Sequence, residues 1–170
     1  MSWIFAVATL VAIQRVSELI YARRNTAALL ARGGIEVGAG HYPLFILLHG
    51  AWLVSLVALV PSDQTPAWPW LALFILLQLC RLWIIGSLGP YWTTRIVTLA
   101  DAPLLRRGPY RLMRHPNYAV TAGEIAVLPL AFGAWRIALV FSVLNTALLA
   151  WRIRVEERAL APRRRSAAPS

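Results

Sequence analysis

The sequence predicts an all-α integral membrane bundle of about five transmembrane helices, ending in a C-terminal helical hairpin. Three observations predict it. Of the 170 residues, 59% are hydrophobic and the mean hydropathy is +0.61, against about 45–50% apolar residues in a soluble domain. The apolar residues are grouped, at 3–13, 44–60, 68–86, 118–132 and 137–151, and a membrane-spanning helix needs about 20 mostly apolar residues. All 17 basic residues are arginines, and they cluster at the ends of these blocks.

The elements follow in order. A first helix over 2–22 reads as a retained membrane helix rather than a cleaved leader: no basic segment precedes Trp3, and Gln14, Arg15 and Glu18 interrupt the region where cleavage would fall. Arg15 and Glu18, three residues apart, share a face and can pair. Residues 23–42 form a polar connection with Gly33-Gly34 and Gly38-Ala39-Gly40. Pro43 suits the start of a second helix, which ends near Val60. A turn at 61–66 without any arginine leads to a third helix over 68–86. The stretch 87–117 is polar and carries Arg95, Arg106, Arg107, Arg111 and Arg114; loops of this length are usually functional or disordered. A fourth helix starts around Pro116 and ends before Gly133. The fifth follows at once, so the two form an antiparallel hairpin, and it continues past the bilayer into 152–160. One domain is expected over 1–161. The basic tail 162–170 is expected to lack fixed structure and to suit anionic membrane lipid.

The net charge of +10 excludes less than it suggests. A pI near 11.4 would fit a nucleic-acid partner. Arginines at the ends of apolar segments instead follow the positive-inside rule, and no nucleic acid is expected. The connection 23–42, the stretch 87–117 and the C-terminal segment are arginine-rich, whereas the turn 61–66 has none and the turn at 133–136 has only Arg136. Five crossings with the N-terminus outside and the C-terminus in the cytosol satisfy this pattern. Trp3, Trp68, Trp70 and Trp151, at block ends, suit an interfacial aromatic belt. Cys80 is the only cysteine, and His41, His49 and His115 are scattered, so neither a disulfide nor a metal site is expected.

Three features on the cytosolic side carry chemistry. The segment Gly108-Pro109-Tyr110-Arg111-Leu112-Met113-Arg114-His115-Pro116-Asn117-Tyr118 immediately precedes a membrane helix. Pro116 suits its first turn, so His115 lies at the positive end of the helix dipole, where free amides can receive a carboxylate. An interfacial anchor of Arg and Tyr is the plainer reading of the same residues. Arg152-Ile153-Arg154-Val155-Glu156-Glu157-Arg158 extends the fifth helix. Adjacent glutamates point about 100° apart, so one can pair with Arg152 while the other faces a ligand; a solvated helix end is the plainer reading. Glu124 lies inside the apolar part of the fourth helix, where an ionisable group is either functional or bonded to a neighbour such as Arg81 or Asn145.

Together, Gly-Pro-Tyr-x-x-x-Arg-His-Pro-x-Tyr at 108–118, a helical hairpin, and Arg-x-x-x-Glu-Glu at 152–157 resemble the isoprenylcysteine carboxyl methyltransferase family. The scheme recurs in phospholipid N-methyltransferases and, in its Arg-His-Pro-x-Tyr part, in NADPH-dependent membrane reductases. Gln14-Arg15-x-x-Glu18-Leu19, Gly34-Ile35-Glu36-Val37-Gly38, His41-Tyr42-Pro43 and Gly89-x-Tyr91-Trp92-Thr93-Thr94-Arg95 resemble a bacterial branch that O-methylates alkylpyrones or phenolic lipids beside polyketide synthases. Val120 stands where the eukaryotic prenylcysteine enzymes usually have glycine.

The resemblance implies a cytosolic S-adenosylmethionine site built by Gly108, Tyr110, His115, Pro116, Tyr118, Arg152, Glu156 and Glu157. It implies a lipidic acceptor served by Arg114, Tyr118 and Glu124, in a multi-pass protein of the bacterial inner membrane. Carboxylates at Glu156 and Glu157 can accept from ribose hydroxyls or an ammonium. Arg114 can orient an acceptor anion. An isoprenylcysteine carboxylate, a phospholipid amine and a reductase reaction remain alternatives to an alkylpyrone or phenolic hydroxyl. The glutamate pair favours methyl transfer over reduction, and a non-catalytic scaffold leaves the two converging polar segments unexplained.

Overall fold

A computed structural model describes residues 2–99 and 107–166. Five α-helices form the body: α1 Trp3–Ala31, α2 Tyr42–Leu59, α3 Trp68–Leu88, α4 Pro116–Ala131 and α5 Trp135–Ser166. α1, α2, α3 and α5 are long and apolar enough to cross a membrane. α4 has 16 residues, about 24 Å at 1.5 Å per residue, less than the ~30 Å hydrocarbon core. It is the central helix, packed between α3 and α5, with nine of its residues buried.

The surface is inverted relative to a soluble protein. Leu10, Ile13, Leu47, Val54, Leu79 and Val143 are exposed, while Arg81, Glu124, Asn145 and Arg152 are buried. A lipid solvent explains both: apolar side chains cost nothing facing hydrocarbon, and charges turn inward to find partners. The integral membrane fold expected from the sequence is the one observed.

Two ends are distinguishable. At one, Trp3 meets Trp68 edge-to-face at 5.5 Å, and the Ala67 amide donates to the Ala131 carbonyl at 2.7 Å. The start of α1, the α2–α3 turn and the α4–α5 turn therefore lie together. At the other end, the α1–α2 and α3–α4 connections pair through a two-stranded antiparallel ribbon, β1 Ile35–Val37 with β2 Ile96–Thr98, in which Ile35 faces Thr98 and Val37 faces Ile96. Arg95 pairs with Glu36 at 2.9 Å beside it.

The structure extends several sequence expectations. α1 runs nine residues beyond Ala22, because 23–31 is rich in Ala and Leu and holds no helix breaker before Gly33. The ribbon was not foreseen: three-residue strands fall below any periodicity window, and their pairing spans about sixty residues of chain. α5 continues to Ser166, and residues 167–170 of the basic tail lie outside the described residues.

Candidate functional site

The site lies at the ribbon end, where α4 begins and α5 leaves the bundle. Gly108 opens a short 3-10 turn, Gly108–Arg111. Its φ of +55° favours glycine, and a Cβ there would come within 2.2 Å of Ser87 Oγ on α3. Arg107 Nε also donates to the Ser87 carbonyl at 2.6 Å, so the turn is clamped to α3. Tyr110, within this turn, packs against the cluster of Ala22, Ile84, Trp92 and Val120. Burial pushes its phenol above the ordinary range, and the Glu156 carboxylate adds to the effect, so it stays a neutral hydroxyl at cellular pH.

His115 caps α4, and Pro116 occupies the first helical position, where a missing N–H costs nothing. The His115 ring stacks on Tyr118, 5.3 Å between centroids and 13° between planes. Across the gap stands α5. His115 Nδ1 lies 3.8 Å from Glu156 Oε1, and Nε2 lies 3.6 Å from Glu157 Oε1. That Nε2 is buried without a hydrogen-bond partner. The Tyr118 hydroxyl donates to Glu156 Oε2 and accepts from Arg152 Nε at 2.8 Å. Arg152 also donates to the Thr94 carbonyl at 2.7 Å and stacks over Phe45. Arg152 and Glu156 are thus joined through Tyr118, a bridge that helical spacing alone does not reveal. His115, Tyr118, Arg152, Glu156 and Glu157 come together from two segments separated by more than thirty residues.

Arg114 and Glu124 stand elsewhere. Arg114 is 77% exposed and 3.9 Å from Glu157, on the outer side of the glutamate pair. Glu124, 2% exposed, is held by Arg81, by Arg15 Nη2 at 2.8 Å and by Gln78 Nε2 at 2.9 Å. Arg81 also donates to Thr121 Oγ1 at 2.9 Å, and Arg15 Nη1 to Glu18 Oε2 at 2.7 Å. The network ties α1, α3 and α4 together inside the apolar layer. Asn145, the other partner considered from the sequence, makes no side-chain hydrogen bond.

A cleft of about 310 Å³ runs from Tyr118 and Arg152 into the bundle, between α1 and α2. Its wall is mainly apolar, including Leu19, Phe45, Leu53 and Leu149. Val16 and Ile46, both exposed toward the lipid side, sit at its rim. Neither Arg114 nor Glu124 lines it. The N-terminal motif residues Arg15, Glu18, Tyr42, Trp92, Thr93 and Thr94 do, a grouping from three distant segments that single-chain spacing could not announce.

The sequence model of the isoprenylcysteine carboxyl methyltransferase (ICMT) family matches residues 70–162, from within α3 into α5 beyond the glutamate pair. The chain belongs to that family. ICMT-family members are methyltransferases that use S-adenosylmethionine, and the family implies a lipid-linked substrate in a membrane setting. Among curated proteins, YpbQ of Bacillus subtilis, described as uncharacterized, is 40% identical over 153 residues, covering 87% of this chain and 90% of its own. An uncharacterized Haemophilus influenzae protein is 28% identical over 153 residues, covering 86% and 88%. No solved structure matches. The family match covers the His115–Glu157 site; the YpbQ likeness takes in most of the chain.

The residues at the site fit the family's donor. Its sulfonium and ammonium are cationic and its ribose carries hydroxyl donors, which suits two carboxylates. Its carboxylate suits the amides at the start of α4 and a histidine with a free buried nitrogen.

Proposed function

We propose that this protein is a membrane O-methyltransferase that moves a methyl group from S-adenosylmethionine to an acidic hydroxyl on a lipidic acceptor, an alkylpyrone or phenolic lipid. One observation carries the reading: the apolar cleft between α1 and α2 ends at Arg152, on the glutamate helix, and at Tyr118, which bonds both Arg152 and Glu156. A lipid chain and a polar donor can thereby meet from opposite sides.

Glu156, Glu157, His115 and Tyr110 form the donor side, with Gly108 and Pro116 setting the backbone around them. S-adenosylmethionine, when bound, supplies an electrophilic methyl: the acceptor oxygen gains it as the carbon–sulfur bond breaks, and an acceptor anion ends as a neutral ether. Alignment of oxygen behind methyl carries most of the acceleration. Arg152 lines the cleft, so we assign it the counter-charge beside the acceptor's oxyanion. Arg114, exposed beside Glu157, belongs on the donor side. Glu124, enclosed by Arg15, Arg81 and Gln78, acts by holding those side chains in place. A pyrone enol is ionised at neutral pH and needs no base, whereas a phenol, with a pKa of about 10, does.

The arginine-rich ribbon end is assigned to the cytosol by the positive-inside rule, with the N-terminus outside. The decisive assay incubates membranes with labelled donor and, in parallel, an alkylpyrone, an alkylresorcinol and N-acetyl farnesylcysteine. Methylation of the pyrone, faster than of the resorcinol, is expected. Methylation of farnesylcysteine alone would replace this reading with carboxyl methylation.

A further inference from the structure

His49 has no role in the transfer described above, yet it lines the cleft. Tyr42, Phe45, Ile46, His49 and Leu53 share one face of α2, with His49 near its middle. A helical side chain leans back over the preceding turn, toward the helix N-terminus. His49 does so: its Nδ1 lies 2.8 Å from the Phe45 carbonyl oxygen. The ring thus reaches toward the level where the Arg152 guanidinium stands over the Phe45 ring at 5.3 Å. A carbonyl only accepts, so Nδ1 carries a proton. Ionisable groups face this region from every neighbouring helix: Arg15 and Glu18 on α1, Tyr42 on α2 itself, Arg81 on α3, Tyr118 on α4 and Arg152 on α5. The carboxylates are taken up, Glu18 and Glu124 by Arg15 and Arg81, and Glu156 by Tyr118. None of them remains to offset an imidazolium, so the ring rests neutral and Nε2 keeps its lone pair. Nε2 has no hydrogen-bond partner among the described residues and, unlike Nε2 of His115, is not a fully enclosed atom. The mainly apolar cleft therefore holds one accessible, unprotonated imidazole nitrogen.

We propose that His49 is the general base for phenolic acceptors: Nε2 takes the proton of the hydroxyl that is methylated, while Arg152 faces the oxyanion that develops. The inference rests on the reading of the protein as a lipid O-methyltransferase and extends it to acceptors that are not already anions. The oxygen gains the methyl as the carbon–sulfur bond breaks, with the bonding pair staying on sulfur. A neutral phenol and a sulfonium become a neutral ether and a thioether, and the positive charge ends on His49 as an imidazolium. His49 then returns its proton to water. Glu124, enclosed by Arg15, Arg81 and Gln78, cannot serve as this base.

The test sets His49→Gln and His49→Asn beside the unaltered protein in detergent, with labelled S-adenosylmethionine and either a 6-alkyl-4-hydroxy-2-pyrone or a 5-alkylresorcinol of equal chain length. Both amides are polar and neither is basic, and donor affinity by calorimetry is the control for an intact fold. Resorcinol methylation is expected to fall about a hundredfold or more in both variants, the contribution of a general base. Methylation of the pyrone, already an anion, is expected to be retained. The pH profile separates a base from a structural residue. With the unaltered protein, resorcinol turnover should fall as the pH drops and the imidazole gains a proton. In the variants it should instead follow the phenol's own ionisation, at a pH of about 10, whereas the pyrone profile should be the same with and without His49. An equal loss on both lipids, full resorcinol turnover in the variants, or an acid limb that survives in them would overturn the inference while the O-methyltransferase reading stands. So would an unaltered protein that methylates the pyrone and never the resorcinol. If the unaltered protein methylates only N-acetyl farnesylcysteine, that reading fails and the base with it, because a carboxylate acceptor is already ionised.

Discussion

Replacing Glu124 by glutamine isolates what the buried network contributes. The substitution preserves volume and removes one negative charge from a site that is 2% exposed. Arg81 and Arg15 then face only Glu18, which lies 3.5 Å from Arg81 Nη1 and 2.7 Å from Arg15 Nη1. The network goes from neutral to a net single positive charge inside the apolar layer. Removing one partner of a buried ion pair costs about 3–5 kcal/mol, because the remaining charge is left uncompensated. For a chain of 150–250 residues, each kcal/mol shifts the melting midpoint by roughly 2–4 °C, so a loss of roughly 6–20 °C is expected. The assay is thermal unfolding of the purified protein in detergent, with donor affinity measured below the transition. Donor affinity should be unchanged, since Glu124 contacts none of His115, Glu156 or Glu157. Methylation of pyrones and resorcinols should fall by the same factor. A protein of undiminished stability that methylates resorcinols selectively more slowly would refute this reasoning and return Glu124 to the acceptor side.

Other outcomes follow from the site. Calorimetry should show binding of S-adenosylmethionine but not NADPH, and Glu157→Gln or His115→Ala should each weaken it about tenfold, the loss of one charged hydrogen bond; affinity untouched by both would remove these residues from the donor site. Gly108→Ala must place a Cβ at a φ of +55°, within 2.2 Å of Ser87 Oγ, at a cost of about 1–3 kcal/mol. It should lower the melting midpoint, and adding Ser87→Ala should restore only the part due to the contact. Alkaline phosphatase fused after Ser170 should be inactive and fused within 62–65 active; the reverse would turn the site to the other face of the membrane.

The sequence alone determined the membrane class, because apolar blocks of helical length and arginines at their ends are local properties of the chain. It also marked the family, since Gly108–Tyr118 and Arg152–Glu157 are short motifs whose order survives without coordinates. The Arg15–Glu18 pair was legible too, being three residues apart on one helix. What spacing could not reveal was convergence. Arg152 reaches Glu156 through Tyr118, contributed by another helix, and Arg15 reaches Glu124 across 109 residues. Nor could spacing reveal that Arg114, expected from the family resemblance to orient the acceptor anion, has a side chain that is 77% exposed and lies 3.9 Å from Glu157. The cleft itself draws its wall from all five helices and the segment around Trp92. Only packing decides which faces of those helices meet, because side chains in a lipid solvent choose partners by burial of charge and close contact rather than by distance along the chain.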